Sequence, residues 1–162
     1  MKNIKQSGFT LIETLIYLAL FGMIFSGVIV CVFNILESSG RNQAKVMLQE
    51  DGNFIAAKIN WALSQAQNIT IPTAGDLQLA TASGTLEFKP EVGVQNLLLL
   101  RNSNPGLKLN NSNEKVPVLF FVKIEASGDR PAGVNYGFTL TTLSSNGALL
   151  SDDFSSTVYL RK

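Results

Sequence analysis

Few residues in this chain could carry chemistry. It has no histidine and one cysteine, Cys31, among 162 residues. A zinc site needs several His, Cys or carboxylate ligands, and Ser/His/Asp or Cys/His catalysis needs an imidazole base. Both classes are close to excluded. Cys31 lies in an apolar run, where it reads as a small apolar helix residue, and alone it forms no intramolecular disulfide. Glu87 and Glu91 read as exposed charges without an acid/base partner. Asn68-Ile69-Thr70 fits a glycosylation sequon, a pattern too common to carry weight. Glu13 stands apart. From Phe9 to Leu36 there are 28 residues, and Glu13 is the one charge among them. A carboxylate within an apolar span costs about 2.5–3.5 kcal/mol on insertion scales and reads first as functional. The bland alternative is an interfacial charge at the end of an ordinary anchor.

The element that must position Glu13 is long. A helix over those residues would measure roughly 42 Å at about 1.5 Å per residue, more than the roughly 30 Å hydrocarbon core of a bilayer. No other stretch of the chain can span a membrane. Lys2 and Lys5 precede it with no balancing acid, which keeps the N-terminus cytoplasmic and the rest outside. A secretory signal peptide fits poorly, because its apolar core is shorter and ends in a small-residue site of the A-x-A kind. Gly22 and Gly27 interrupt the run and could be flexible points or small contacts for a neighbouring helix.

The short basic leader, then Gly8, Phe9, Thr10, Leu11, Ile12, Glu13 and an unbroken apolar helix, resembles the type IV prepilin signature. The resemblance implies that a prepilin peptidase cuts after Gly8 and that Phe9, the new first residue, is N-methylated. Thr10, Leu11, Ile12 and Glu13 then form the processing and assembly motif, with Glu13 fifth in the mature chain. The implied partners are the peptidase/methylase, other pilin or pseudopilin subunits through helix contacts, the inner-membrane assembly platform and membrane lipid. The implied place is the inner membrane, then a periplasmic or cell-surface filament. No cofactor and no enzymatic activity are implied.

Beyond Leu36 the chain has 126 residues, enough for one modest core. Eleven basic and eleven acidic residues leave it without net charge, so no nucleic-acid surface is indicated. The mean hydropathy of +0.20 mostly reflects the N-terminal run. Glu37-Ser38-Ser39-Gly40 is a polar exit from the bilayer. Ala44, Leu48, Ile55, Ile59, Ala62, Ala66 and Ile69 then recur on one face of a helix that Pro72 ends. Phe54 and Trp61 widen that face and are expected to pack on a sheet. Asp51-Gly52 is a weak point of the helix.

After Pro72 the period falls from 3.6 to 2. Strands are expected at Leu77–Leu79 and Leu86–Phe88 around a Ser83-Gly84 turn, and at Asn96–Leu100. Asn102–Lys115 reads as a surface loop with a short strand at Leu107–Leu109. Val116–Glu125 is a strand with Phe120, Val122 and Ile124 on one face, and Val134–Leu143 one with Tyr136, Phe138 and Leu140 on one face; Phe120, Val122, Phe138 and Leu140 are expected to pack on the helix near Ile55, Ile59 and Ala62. Ser144–Asp152 reads as a loop and Phe154–Leu160 as the closing strand.

The expectation is an α+β, pilin-like fold: a long N-terminal helix, transmembrane then amphipathic, packed on a C-terminal antiparallel β-sheet. Residues 1–8 form the leader, 9–36 the transmembrane and assembly half of the helix, and 37–162 the extracytoplasmic domain, with the helix running to about residue 69. The order also looks like J-class minor pseudopilins and W-class minor pilins, in Phe54, Ile55, Ile59 and Trp61 and in the ending Phe154-Ser-Ser-Thr-Val-Tyr-Leu-Arg161. The absence of proline before Pro72 and of a cysteine pair departs from major pilins. Some pilin relatives bind calcium in C-terminal loops, but Asp129, Asp152 and Asp153 lack an oxygen-ligand spacing, so they read as solvated acids. No metal is expected. The rival to a filament subunit is a single-pass anchored domain that binds or catalyses outside the cytoplasm.

Overall fold

The computed structural model of the chain describes residues 10–91, 93–102, 104–128, 131–144 and 146–160. One helix, α1 (Leu11–Ser64), runs through both of the compact units into which the chain divides, 1–40 and 41–162. In the first unit the large apolar side chains of α1, from Leu11 to Leu36, are all exposed. Two hydroxyls within this run turn back on the helix. Thr14 Oγ1 donates to Leu11 O (2.8 Å) and Ser26 Oγ to Met23 O (2.9 Å). That self-satisfaction suits a helix surrounded by hydrocarbon, where no water is present to accept those bonds.

In the second unit α1 is amphipathic. Leu48, Gly52, Ile55, Ile59, Ala62 and Leu63 are its buried residues. The helix ends at Ser64, earlier than the periodicity to Ile69 predicts. Gln65 N–H donates to Ala62 O (3.2 Å), and Ala66–Thr70 leaves as strand β1. Ile69, Thr70 and Ile71 are β-branched and precede Pro72, so they favour extended backbone. Ile69 is still buried, as the helical stripe required, but as a strand residue paired with Leu79.

Among the described residues eight strands form two antiparallel sheets, where the sequence led us to expect one. The first sheet follows chain order: β1, β2 (Leu77–Thr81), β3 (Gly84–Pro90), β4 (Leu97–Arg101) and β5 (Leu107–Lys108). The second consists of β6 (Glu114–Ile124), β7 (Gly133–Leu143) and β8 (Leu149–Tyr159). The β2–β3 hairpin turns on Ala82-Ser83, with Thr81 opposite Gly84. Gly84 has φ +127°, and a β-carbon there would collide with the Asn102 side chain, whose Oδ1 accepts from Thr85 N–H (2.9 Å). Leu77, Leu79, Leu86 and Phe88 face the core in the expected alternation.

The second sheet differs more from the sequence reading. On β6, Val116 and Phe121 are buried while Phe120 and Val122 are exposed, the reverse of the predicted face. The ladder to β7 shifts between Lys115 and Val118, around Pro117. Proline has no N–H for the ladder and is confined to edges and bulges. The bulge adds a residue and moves the inward set from even to odd positions. β8 begins at Leu149, so Ser151, Asp152 and Asp153 lie on a strand rather than in a loop. Opposite it β7 turns Tyr136, Phe138 and Leu140 inward on one face, as predicted, and Val134 with them.

The buried α1 stripe and the inward residues of both sheets form a single core cluster. Phe54 and Trp61 stay outside it, each about half exposed, with Lys58 Nζ 5.5 and 5.7 Å from their ring centroids. The expected packing of these two rings on a sheet is therefore not what the fold does with them. The presumed surface loop before β6 also contributes buried groups. Asn110 Oδ1 accepts from Leu97 N–H (2.9 Å), and its amide donates to Glu114 O (2.7 Å) and Asn96 Oδ1 (3.2 Å).

Candidate processing and assembly segment

Of the motif residues, Gly8 and Phe9 lie outside the described residues; Thr10, Leu11, Ile12 and Glu13 lie within them. Thr10 sits just ahead of α1 and Glu13 in its first turn. Glu13 N–H donates to Thr10 O (3.1 Å). The Glu13 carboxylate reaches back, with Oε2 3.4 Å from both Thr10 N and Thr10 Oγ1. This is one half of a capping box: the Glu13 carboxylate satisfies the Thr10 N–H, while Glu13 N–H bonds the Thr10 backbone carbonyl rather than its hydroxyl. A carboxylate there also meets the positive end of the helix macrodipole. The sequence reading missed this role. The signal was present as Thr-x-x-Glu before an apolar run.

Leu11 and Ile12 are 79 and 67 % exposed, and Glu13 is half-buried. The segment therefore offers two large aliphatic side chains and one carboxylate to whatever surrounds it. Downstream, the window that is apolar enough to cross a membrane has a mean hydropathy of 2.6 and nothing of it is buried. It is the one such helix among the described residues. The Phe21 and Phe25 rings meet on this surface with centroids 4.9 Å apart and planes tilted by 37°, and Cys31 is exposed and free.

The other polar candidates do not assemble. Among the described residues no group of three or more His, Cys, Asp or Glu could hold a metal ion. Asp129 lies outside them; Asp153 accepts from Thr139 Oγ1 (2.6 Å) and Asp152 from Asp153 N–H (3.2 Å). Glu87 lies 3.9 Å from Lys89, while Glu91 accepts from Asn96 Nδ2 (2.6 Å).

One polar cluster was not legible. Asn111 Nδ2 donates to Asp51 Oδ2 (2.6 Å), and Asn111 N–H donates to Glu114 Oε2 (3.3 Å). This joins α1 to the start of β6, beside a cavity of about 740 Å³ that Glu50 and Thr142 also line. Burial, with the neighbouring Asp51 carboxylate, pushes Glu114 up to about 7. Tyr136, buried at the centre of β7, donates its hydroxyl to Asn60 Oδ1 (2.8 Å). Burial raises the pKa of that phenol. Asp51 and Glu114 are 63 positions apart, so no local pattern brings them together.

Residues 3–29 match the family model described as the prokaryotic N-terminal methylation motif. The match covers residues 3–8, the Gly8–Glu13 motif and the apolar run as far as residue 29. With the long apolar helix, and with α1 packed on antiparallel sheets in a pilin-like α+β arrangement, it supports a prepilin-type pilin or pseudopilin subunit. Such a motif implies processing by a prepilin peptidase and assembly with other pilins, and the helix fits a membrane anchor. No curated protein and no solved structure matches the chain.

Proposed function

We propose that the chain is inserted in the inner membrane by α1 with its N-terminus in the cytoplasm, cut between Gly8 and Phe9, and N-methylated on Phe9. It then assembles through α1 into a type IV pilus or a type II secretion pseudopilus, as a minor component. Residues 1–8 act as leader, 9–36 as the membrane and assembly segment, and 37–162 as the extracytoplasmic domain. Its role is structural, and its partners are the peptidase/methylase, neighbouring subunits, the inner-membrane assembly platform and lipid.

The observation that carries this reading is the continuity of the methylation motif with a helix whose apolar residues find no protein core. The minor role follows the two departures from major pilins, the missing helix proline and the missing cysteine pair. A small residue before the cut lets peptidase backbone approach closely, which Gly8 allows. Mass spectrometry of the N-terminus of membrane-purified protein tests the proposal. A mature chain beginning with methyl-Phe9, together with an uncut precursor for Gly8→Val, is the expected result. A chain that keeps its leader in the native host points instead to a single-pass anchored domain.

A further inference from the structure

A second surface lies toward the end of α1, where Lys58 and Trp61 line a groove with residues of β3, β4 and β5. A groove of about 300 Å³ runs there, with a floor of Leu86, Leu99 and Leu109 and a rim that includes Arg101 and Leu107. Leu86 and Leu109 are nearly buried at its base, while Leu107 is 65 % exposed at its lip. Trp61, half exposed, forms one wall. β5 is the last strand of its sheet, and no further strand among the described residues pairs with its outer side.

Two cations border this apolar trough. Among the described residues neither Lys58 nor Arg101 has a salt bridge, whereas Lys89 and Lys123 each lie within 4.0 Å of a carboxylate. Cations held beside apolar surface select an occupant that is apolar with negative charge at its margin. The groove is at the lower limit of ligand-pocket volumes and open on one side, so it would not enclose most of a small amphiphile. An extended polypeptide uses such a site better. Lying along the trough, it can set alternate side chains on the floor and turn those between them to the rim.

We propose that the groove between α1 and β3–β5 binds an extended segment of a protein partner in which aliphatic residues alternate with Asp or Glu. The aliphatic side chains lie on Leu86, Leu99 and Leu109, and the carboxylates meet Lys58 and Arg101. This goes beyond the prepilin reading and does not depend on it.

Trp61 is the chain's single tryptophan, so its emission reports directly on the groove. The experiment titrates the full chain in lipid nanodiscs with acetyl-Ser-Leu-Glu-Val-Asp-Leu-Ser-amide, with the same peptide carrying Lys at the two acidic positions, and with dodecanoate. The expected result is a saturable blue shift with the acidic peptide, about tenfold tighter than with the basic one. Arg101→Glu should reverse that preference and Arg101→Ser should erase it. Both changes are at an exposed position, and an unchanged melting temperature confirms the fold. No blue shift with the acidic peptide, equal response to both peptides, or a shift with dodecanoate alone overturns the proposal. So does a preference that survives Arg101→Glu.

Discussion

The Phe154 ring of β8 lies against the α-carbon of Gly52, where a β-carbon on the helix would fall within the ring. The same ring stacks on its cross-strand partner Phe138, with centroids 5.1 Å apart and planes 14° from parallel. Glycine in the middle of a helix costs about 0.8–1.0 kcal/mol against alanine. Here it provides the space that lets the three-stranded sheet close on α1.

That relationship gives the first prediction. In an isolated helix Gly52→Ala would stabilise. In this fold the added methyl displaces a ring already held by Phe138, and overpacking costs about 1–3 kcal/mol. The full chain in detergent should therefore melt at a lower temperature as Gly52→Ala. Adding Phe154→Leu should return part of the loss. A raised melting temperature for Gly52→Ala alone would show that Phe154 swings aside freely.

The inward face of β6 gives the second. Phe121 is buried with its ring 6.4 Å from that of Tyr136, and Val122 is 53 % exposed. Phe121→Ala should cost about 3–5 kcal/mol. Val122→Ala, away from the core, should stay within about 0.5 kcal/mol. Denaturant midpoints of the two variants decide the point. Equal losses would place the strand in the phase without a bulge.

These two cases also show what the sequence made legible. The helix, the β2–β3 hairpin and the inward face of β7 follow from unbroken periodicity: Leu48, Ile55, Ile59 and Ala62 at helical spacing, and Tyr136, Phe138 and Leu140 at strand spacing. Reading failed where one residue resets the phase. Pro117 was visible inside the β6 run, and its effect on register could have been drawn from the missing N–H. The end of α1 failed because Ala66 and Ile69 continue the helical spacing, and the ladder to β2, with a register shift between Ala66 and Asn68, instead puts them on a strand. Gly52 looked like a local weakness because its reason is Phe154, about a hundred residues away. At the candidate site the motif was fully visible, whereas the Glu13 cap needed the pairing of Thr10 with Glu13 to be considered. The Asp51–Asn111–Glu114 link is long-range chemistry with no local signature.

The third prediction concerns that link. Glu114 is held at about 7, against an ordinary value of 4.5, by burial first and by the Asp51 carboxyl next. Lys108 and the Asn111 N–H oppose the shift. Because the folded pKa is the higher, the folded chain binds this proton more tightly than the unfolded one. Stability should thus fall as pH rises from about 4.5 to about 7, and level off above. The chain has no histidine, so the upper part of that window is free of imidazole titration. Melting temperatures from pH 5.5 to 8 should decline in the native chain and lie flat in Glu114→Gln. A decline that persists in Glu114→Gln would assign the titration to another group.

The last prediction separates two roles for Glu13. Its carboxylate caps α1 through Thr10. If the chain is cut after Gly8, the new amine at Phe9 carries a positive charge near apolar surroundings. A buried charge without a partner is costly, and low dielectric strengthens its attraction to a carboxylate. In a filament of staggered helices, Glu13 of one subunit meeting the Phe9 amine of its neighbour would favour one axial register among otherwise unspecific apolar surfaces. Glutamine can replace glutamate in a capping box but cannot supply the charge. Glu13→Ala and Glu13→Gln should both insert, since losing a charge eases insertion, and both should be cut after Gly8. Neither should enter filaments efficiently if the charge pair sets the register. The measurement is the amount of each variant in sheared filaments of the native host relative to its amount in membranes. Normal incorporation of Glu13→Gln with failure of Glu13→Ala would assign Glu13 to the cap alone, and the Phe9 amine would then need another partner.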